Sequence, residues 1–402
     1  SGRDEEQAEA ALAIASQVTP LAIPVGVFRG LGIEEKRRRA AKWTEFEGAL
    51  ADPAVKAMVA TRYAEASFTV SRLERYAQCP FRFFAEHVAK LVELDKPEEE
   101  IDAVERGGLL HTILGRFYME RRARGRIELD DTDDREAALG HLISVAQKEF
   151  DQQPFEGIFW EMERERIAGT AARHGSPTIL ELFIDTEMAD AGLCKPRFFE
   201  VTFGYRRADE LTDRQLSLPE LVFEGGGTRV RVSGRIDRIE VTPDGDAAPA
   251  VVVDYKTGSP PHHKAITEFR SLQIPVYMMA LEQDPERRFR PIGGAYYCLK
   301  DSKDEFGKKV FYGSGEQLRQ CCGVSKKKTA GLLDDKELAG VIGGARAKII
   351  EYVSAIRSGI FNPSTLSERD AGCTWCIFRG VCRRELAKSL RMAQNDKPND
   401  ER

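Results

Sequence analysis

What this 402-residue chain lacks already narrows its class. No apolar run approaches the roughly 20 residues that a membrane-spanning helix needs, and no secretory signal is visible. No excess of positive charge is present: 60 lysines and arginines face 65 aspartates and glutamates, for a net charge of −5. That balance excludes a nucleic-acid coat that is basic all over, although a local groove can still be positive. The eight cysteines show no disulfide-scaffold spacing, which points to a reducing compartment and a cytoplasmic, membrane-free protein. No internal repeat is seen. An opening methionine is also missing, and Ser1-Gly2 reads as a cloning scar or an internal start, hence as a domain cut from a larger polypeptide.

What is present begins with Asp237, Asp254 and Lys256. They lie in two short runs, Val232 to Glu240 and Val251 to Gly258. Both runs are rich in β-branched residues and end in turn signals, so both read as strands. Side chains alternate along a strand, which puts Asp254 and Lys256 on one face. Pairing the strands as a hairpin brings Asp237 to the same patch. Two carboxylates and an ammonium are costly to bury, and a hard divalent cation resolves that cost.

The remaining pattern is helical before these strands and mixed after them. Helices are expected over Gln7–Ser16, over Leu109–Arg122 with His111, over Asp134–Phe150 and over Trp160–Glu187. Phe68–Leu94 reads as an entry turn followed by another helix, with Ser71 as N-cap and Glu74 at the capping-box spacing. Strands are expected at Phe198–Tyr205 and Ile292–Leu299. A helix near Phe269–Leu281 carries Gln273 and Tyr277 on one face, with a start or kink at Pro275. Leu338–Arg357 reads as a long amphipathic helix. The basic runs Lys36–Arg39, Arg121–Arg126 and Lys326–Lys328 are either solvated faces or, for the last two, tracks for a phosphate backbone.

Gly234-Arg235-Ile236-Asp237 and Asp254-Tyr255-Lys256-Thr257-Gly258 resemble the signature of the PD-(D/E)xK nuclease superfamily, in its RecB-like branch. Arg106 to His111 is similar to that branch's histidine motif, and Gln273 to Tyr277 to its Gln-x-x-x-Tyr motif. Four motifs stand in family order. The resemblance implies an α/β fold: a restriction-endonuclease-like core of a mixed central sheet flanked by helices, with helical additions. It also implies Mg²⁺ or Mn²⁺ held by His111, Asp237, Asp254 and the Tyr255 carbonyl, the imidazole favouring Mn²⁺. Asp237, Asp254, Lys256, Gln273 and Tyr277 become the expected catalytic set. Lys256 either activates water or neutralises the phosphate, with Gln273 and Tyr277 orienting it or touching phosphate. Glu200 is expected as a supporting acid behind the ligands. His262 and His263 read as loop residues.

The cysteines select a subfamily. Cys79, followed far downstream by Cys373, Cys376 and Cys382, resembles the iron–sulfur staple of AddB-type nucleases and implies a [4Fe–4S] cluster. Zinc is the alternative, since Cys-x2-Cys is also a zinc spacing. Cys194, Cys298, Cys321 and Cys322 read as incidental thiols. The expected organisation is a helical lead-in over 1–67, a nuclease domain with its cluster over 68–387, and a charged, disordered tail over 388–402. The resemblance implies a metal-dependent DNA exonuclease that acts on single strands or frayed duplex ends in double-strand-break repair, beside a helicase–nuclease subunit of the AddA type. The alternatives are a stand-alone exonuclease like those of CRISPR adaptation and a non-cutting scaffold that grips DNA ends.

Overall fold

A computed structural model describes residues 30–33, 44–92, 101–130, 132–169, 175–204, 209–243, 247–327, 329–382 and 384. The expected helix at Gln7–Ser16, the basic run Lys36–Arg39 and the tail from 388 lie outside these residues. Among the described residues no helix is long and apolar enough to cross a membrane. The chain forms two units. One takes in the described residues of Ser1–Ala64, Arg75–Glu93 and Ser354–Arg402, the other those of Glu65–Glu74 and Leu94–Val353.

In the first unit lie helix α1 (Pro53–Ala64), the end of α2 (Val70–Gln78), the short α3 (Pro80–Phe83) and a π-turn at Phe84–Val88. Pro80 starts α3 where its missing N–H costs nothing. Rings hold this unit together. Phe83 meets Tyr76 edge-on at 5.5 Å and stacks over Phe361 at 6.3 Å, and the Tyr76 hydroxyl donates to the Ile360 carbonyl at 2.8 Å.

The second unit holds one eight-stranded sheet: β1 (Ser67–Thr69), β2 (Lys195–Phe203), β3 (Leu221–Gly225), β4 (Thr228–Val241), β5 (Ala248–Lys256), β6 (Phe289–Cys298), β7 (Gly307–Ser314) and β8 (Leu332–Leu333). The path runs β1-β4-β5-β6-β7-β8, and β2 and β3 also pair with β4. β4 and β5 form the expected antiparallel hairpin, whereas β5 and β6 run parallel. A parallel pair needs a crossover, here supplied by α8 (His263–Thr267) and α9 (Gln273–Glu282), after α4 (Ala103–Ala123), α5 (Arg135–Phe150), α6 (Ile158–Ala168) and α7 (Ile179–Met188) and before α10 (Gly315–Cys322) and α11 (Asp335–Arg357).

Alternation along β5 assigns its two faces. Val251, Val253 and Tyr255 join the core that also contains Ile113 and Phe117 of α4, Leu142 of α5 and Phe183 of α7. Val252 points to the opposite face, toward α9. There Gly294 of β6 lets α9 approach, because a Cβ on it would stand 2.8 Å from side-chain atoms of both Ile274 and Val252.

A second buried charge cluster sits on the α4–α7 face. Arg238, fully buried, pairs with Glu240 at 2.5 Å and Glu187 at 2.8 Å. Lys308 joins Glu240 at 2.8 Å and Asp190 at 2.7 Å, and the Tyr118 hydroxyl donates to Glu187 at 2.5 Å. Burial opposes the Arg238 charge, but Glu187 and the surrounding oxygens hold its pKa above the usual guanidinium value.

Several local expectations are corrected. α4 starts at Ala103 rather than Leu109, because Asp102 and Glu105 form a capping box ahead of the Gly107-Gly108 pair. The single helix expected over Trp160–Glu187 is two, and the second is restarted by a capping box of Thr178 with Glu181. α2 begins at Val70, one residue before the expected cap, with the Thr69 hydroxyl accepting from the Arg72 amide at 3.4 Å. Glu74 therefore completes no capping box there. The basic run Arg121–Arg126 is occupied within the fold: Arg121 pairs with Asp133, Arg122 with Asp213 and Arg126 with Asp130.

Candidate active site

The strand register builds the site. Arg238 lies opposite Val253 and Ile239 opposite Val252, so continuing by one residue sets Asp237 opposite Asp254. On the other side of β4, Phe199 faces Arg238 and Val201 faces Ile236, which brings Glu200 beside Asp237. Glu200 adopts a φ of 52°, a left-handed conformation that costs a non-glycine residue about 1–3 kcal/mol and recurs at functional sites. α4 passes close by: a Cβ on Gly115 would lie 3.3 Å from the Glu200 Cγ.

Three side chains converge. His111, Glu200 and Asp237 each offer a ligand atom, and these atoms lie within 4.8 Å of one another. His111 Nδ1 is 3.5 Å from Asp237 Oδ2, and the Tyr255 amide donates to the same oxygen at 2.9 Å. Glu200 Oε1 is buried without a hydrogen-bond partner, while Oε2 lies 3.4 Å from Arg235. Asp254 and Lys256 form an ion pair. Lys256 Nζ also donates to Gln273 Oε1 at 2.8 Å and lies 5.4 Å from the centre of the Tyr296 ring. Tyr277, one turn along α9 from Gln273, is buried.

The electrostatics describe an acid cluster short of positive charge. Burial, reinforced by Asp237, pushes Glu200 up to about 8. Burial pushes Asp254 up to about 7, with Lys256 pulling it back and Asp237 adding to the rise. Burial also works against Asp237, but His111 and the Tyr255 amide hold it below the usual carboxylate range. Burial disfavours the imidazolium of His111, yet Asp237 outweighs it and holds the ring up to about 9. Two carboxylates, an imidazole and an orphaned carboxylate oxygen suit a hard or borderline divalent cation, which would return these carboxyls to their ionised forms.

Of the residues expected from sequence, the structure thus brings together His111, Asp237, Asp254, Tyr255, Lys256, Gln273 and Tyr277. Glu200, expected behind the ligands in the sequence reading, offers an oxygen to the same cluster as His111 and Asp237. Its signal was an acid inside the apolar run Phe198 to Phe203. Glu74 was missed as a neighbour of the site, because its spacing from Ser71 fitted a local cap. The imidazole of His262 accepts from the Lys264 amide at 3.3 Å and caps α8.

In the first unit, Cys79, Cys373, Cys376 and Cys382 line one cavity of about 150 Å³. Arg384 donates to Cys373 Sγ at 2.9 Å. In the second unit, Cys194 is not isolated: its amide donates to the Cys321 carbonyl at 3.0 Å, and its thiol meets Cys322.

A family model, described as the PD-(D/E)XK nuclease superfamily, matches residues 67–383. The chain belongs to this superfamily. Its strand–hairpin–helix–strand core and mixed sheet flanked by helices are those of the superfamily fold. Among curated relatives, the B-type subunit of an ATP-dependent helicase/deoxyribonuclease from Lacticaseibacillus paracasei is 30% identical over 241 residues, 59% of this chain and 19% of its own length. Proteins of the same name are 25% identical in Moorella thermoacetica, over 78% of this chain and 30% of theirs, and in Carboxydothermus hydrogenoformans, over 79% and 31%. The chain spans less than a third of the length of these relatives.

Proposed function

We propose that this PD-(D/E)XK nuclease is a metal-dependent DNA exonuclease module that degrades single strands during double-strand-break repair, beside a helicase–nuclease partner of the AddA type. The convergence of His111, Glu200 and Asp237 next to the Asp254–Lys256 pair carries this reading. The names of the relatives support DNA as substrate and a helicase as companion.

His111, Glu200, Asp237 and Asp254, with the Tyr255 carbonyl, would hold Mg²⁺ or Mn²⁺. The bound ion supplies a water of lowered pKa and charge to offset the phosphate. Lys256, held by Gln273, points its ammonium at the same patch and stabilises the negative charge that develops on phosphorus oxygens. Tyr277 lies one turn along α9 from Gln273, whose oxygen faces Lys256.

The four thiols support a [4Fe–4S] cluster in the first unit. A single zinc draws its sulfurs to about 3.8 Å from one another, given tetrahedral bonds of about 2.3 Å. Among the described residues, His111, Glu200 and Asp237 are the group whose ligand atoms all fall within 4.8 Å. The cysteines are spread more widely, around a cavity with room for several atoms.

The test is cutting of end-labelled single-stranded DNA by anaerobically purified protein in Mn²⁺, Mg²⁺ or EDTA, beside Lys256→Ala. Metal-dependent shortening from one end, absent in the variant, is expected. Intact DNA with metal-loaded wild type would favour a scaffold that grips ends without cutting.

A further inference from the structure

We infer that Glu74 is a positioning residue for Lys256, acting by capping α9 from a distant part of the sequence. The inference rests on the nuclease reading above. α9 begins badly by itself. Its N-cap is Leu272, which offers no side-chain acceptor, and apolar residues are poor caps. Pro275 removes one amide donor from the first turn, but the others still need partners.

Glu74 of α2 meets that need. Its Oε1 accepts from the Leu272 amide at 2.6 Å, the Gln273 amide at 3.2 Å and the Ser271 hydroxyl at 3.4 Å. A partly buried carboxylate at a helix N-terminus is also favoured by the helix dipole. Besides Asp254, two groups that surround Lys256 trace back to this anchor. Gln273, whose backbone Glu74 fixes, accepts from Lys256 Nζ at 2.8 Å. Tyr296, whose ring lies beside Nζ, shares a hydrogen bond of 2.8 Å with Ser271, the third group on Glu74. Glu74 touches neither Asp237 nor His111 in the contacts described. Its charge acts on Lys256 across space, and its hydrogen bonds act on the lysine through the start of α9.

Glu74→Gln keeps the size of the side chain and removes its charge. Its amide oxygen can keep the place of Oε1, so what is lost is the negative charge that strengthens all three bonds. The rate of DNA cleavage should fall on the order of ten- to a hundredfold, with KM and Mn²⁺ affinity unchanged, because the lysine is misplaced and the ligands are not. A double-mutant cycle with Gln273→Ala separates this from a general effect. If Glu74 works through Gln273, E74Q costs the full factor in wild type and less than about twofold in the Gln273→Ala background. Amide exchange at Leu272 and Gln273, measured on the full chain without metal or DNA, reads the cap directly and should accelerate in E74Q.

An equal cost in both backgrounds overturns the inference. So does a loss carried by KM, or an E74Q chain that unfolds, since either makes Glu74 a structural residue only. Unchanged exchange with unchanged cutting overturns it as well and leaves the nuclease reading intact. A wild type that cuts no DNA sinks the nuclease reading, and the catalytic role of Glu74 with it, even where exchange shows the cap.

Discussion

Gln273 holds Lys256: the side-chain oxygen at the first position of α9 accepts from the ammonium at the end of β5, at 2.8 Å. The same lysine is paired with Asp254 two residues back along its strand. A helix and a strand therefore fix one charged group from two directions. Gln273→Ala removes one of them. The cleavage rate should fall about a hundredfold, the scale expected when a reacting group is misplaced by an ångström, while Mn²⁺ affinity stays within twofold or so. An unchanged rate would mean that Asp254 alone positions the lysine.

Glu200 should matter to metal binding. Its Oε1 is buried without a partner and lies in the group with His111 and Asp237. Glu200→Gln should weaken Mn²⁺ binding at least about tenfold, as loss of a ligand or of its close support does. Titration of Mn²⁺ followed by electron paramagnetic resonance measures this directly. Equal affinity in variant and wild type would return Glu200 to a purely structural role beside Arg235.

Arg238 should matter to folding. It is fully buried between Glu187 and Glu240, and removing one member of such a network leaves charges uncompensated. Arg238→Ala should cost about 3–5 kcal/mol of stability, read by urea denaturation. A loss below about 1 kcal/mol would show that Lys308 takes over the pairing.

The cysteine cavity predicts a metal analysis. Anaerobically purified protein should carry about four irons and four sulfides per chain, as a [4Fe–4S] cluster requires, with visible absorbance that disappears in Cys376→Ser. Stoichiometric zinc without sulfide would instead assign the cavity to a single ion.

Gly294→Ala tests how closely α9 must approach the sheet. The added methyl would press on Ile274 and Val252. It should destabilise the chain by about 1–3 kcal/mol, the range for overpacking, and displace Gln273 enough to slow cleavage. A variant of full stability and activity would show that α9 yields without consequence.

The hairpin of Asp237, Asp254 and Lys256 was readable from sequence because strand alternation is local: β-branched runs and turn residues specify it within a few positions. His111 and Gln273 were readable only as motifs in order, since their distance from Asp237 and Lys256 is set by packing. Glu74 shows where local reading fails. Three residues after a serine at the start of a helix, it satisfies the rule for a capping box, yet its carboxylate bonds amides nearly two hundred positions away. The run Arg121–Arg126 fails in the same way: a cluster of charges on a helix carries no record of the aspartates that will meet it. β3 and β7 escaped because their apolar and charged residues mix without a clean alternation.

β4 carries Asp237 and Arg238 side by side, one toward the ligand cluster and the other toward Glu187 and Glu240. Sliding this strand by one residue would exchange them. The acid cluster would then receive a guanidinium in place of a carboxylate, and the buried Glu187 of α7 would meet an acid in place of its arginine. Apolar residues alone would tolerate that slip, since valine and isoleucine occupy both faces of the hairpin. The adjacent opposite charges do not, so they act as an alignment key: correct assembly of the sheet and assembly of the candidate metal site become a single event.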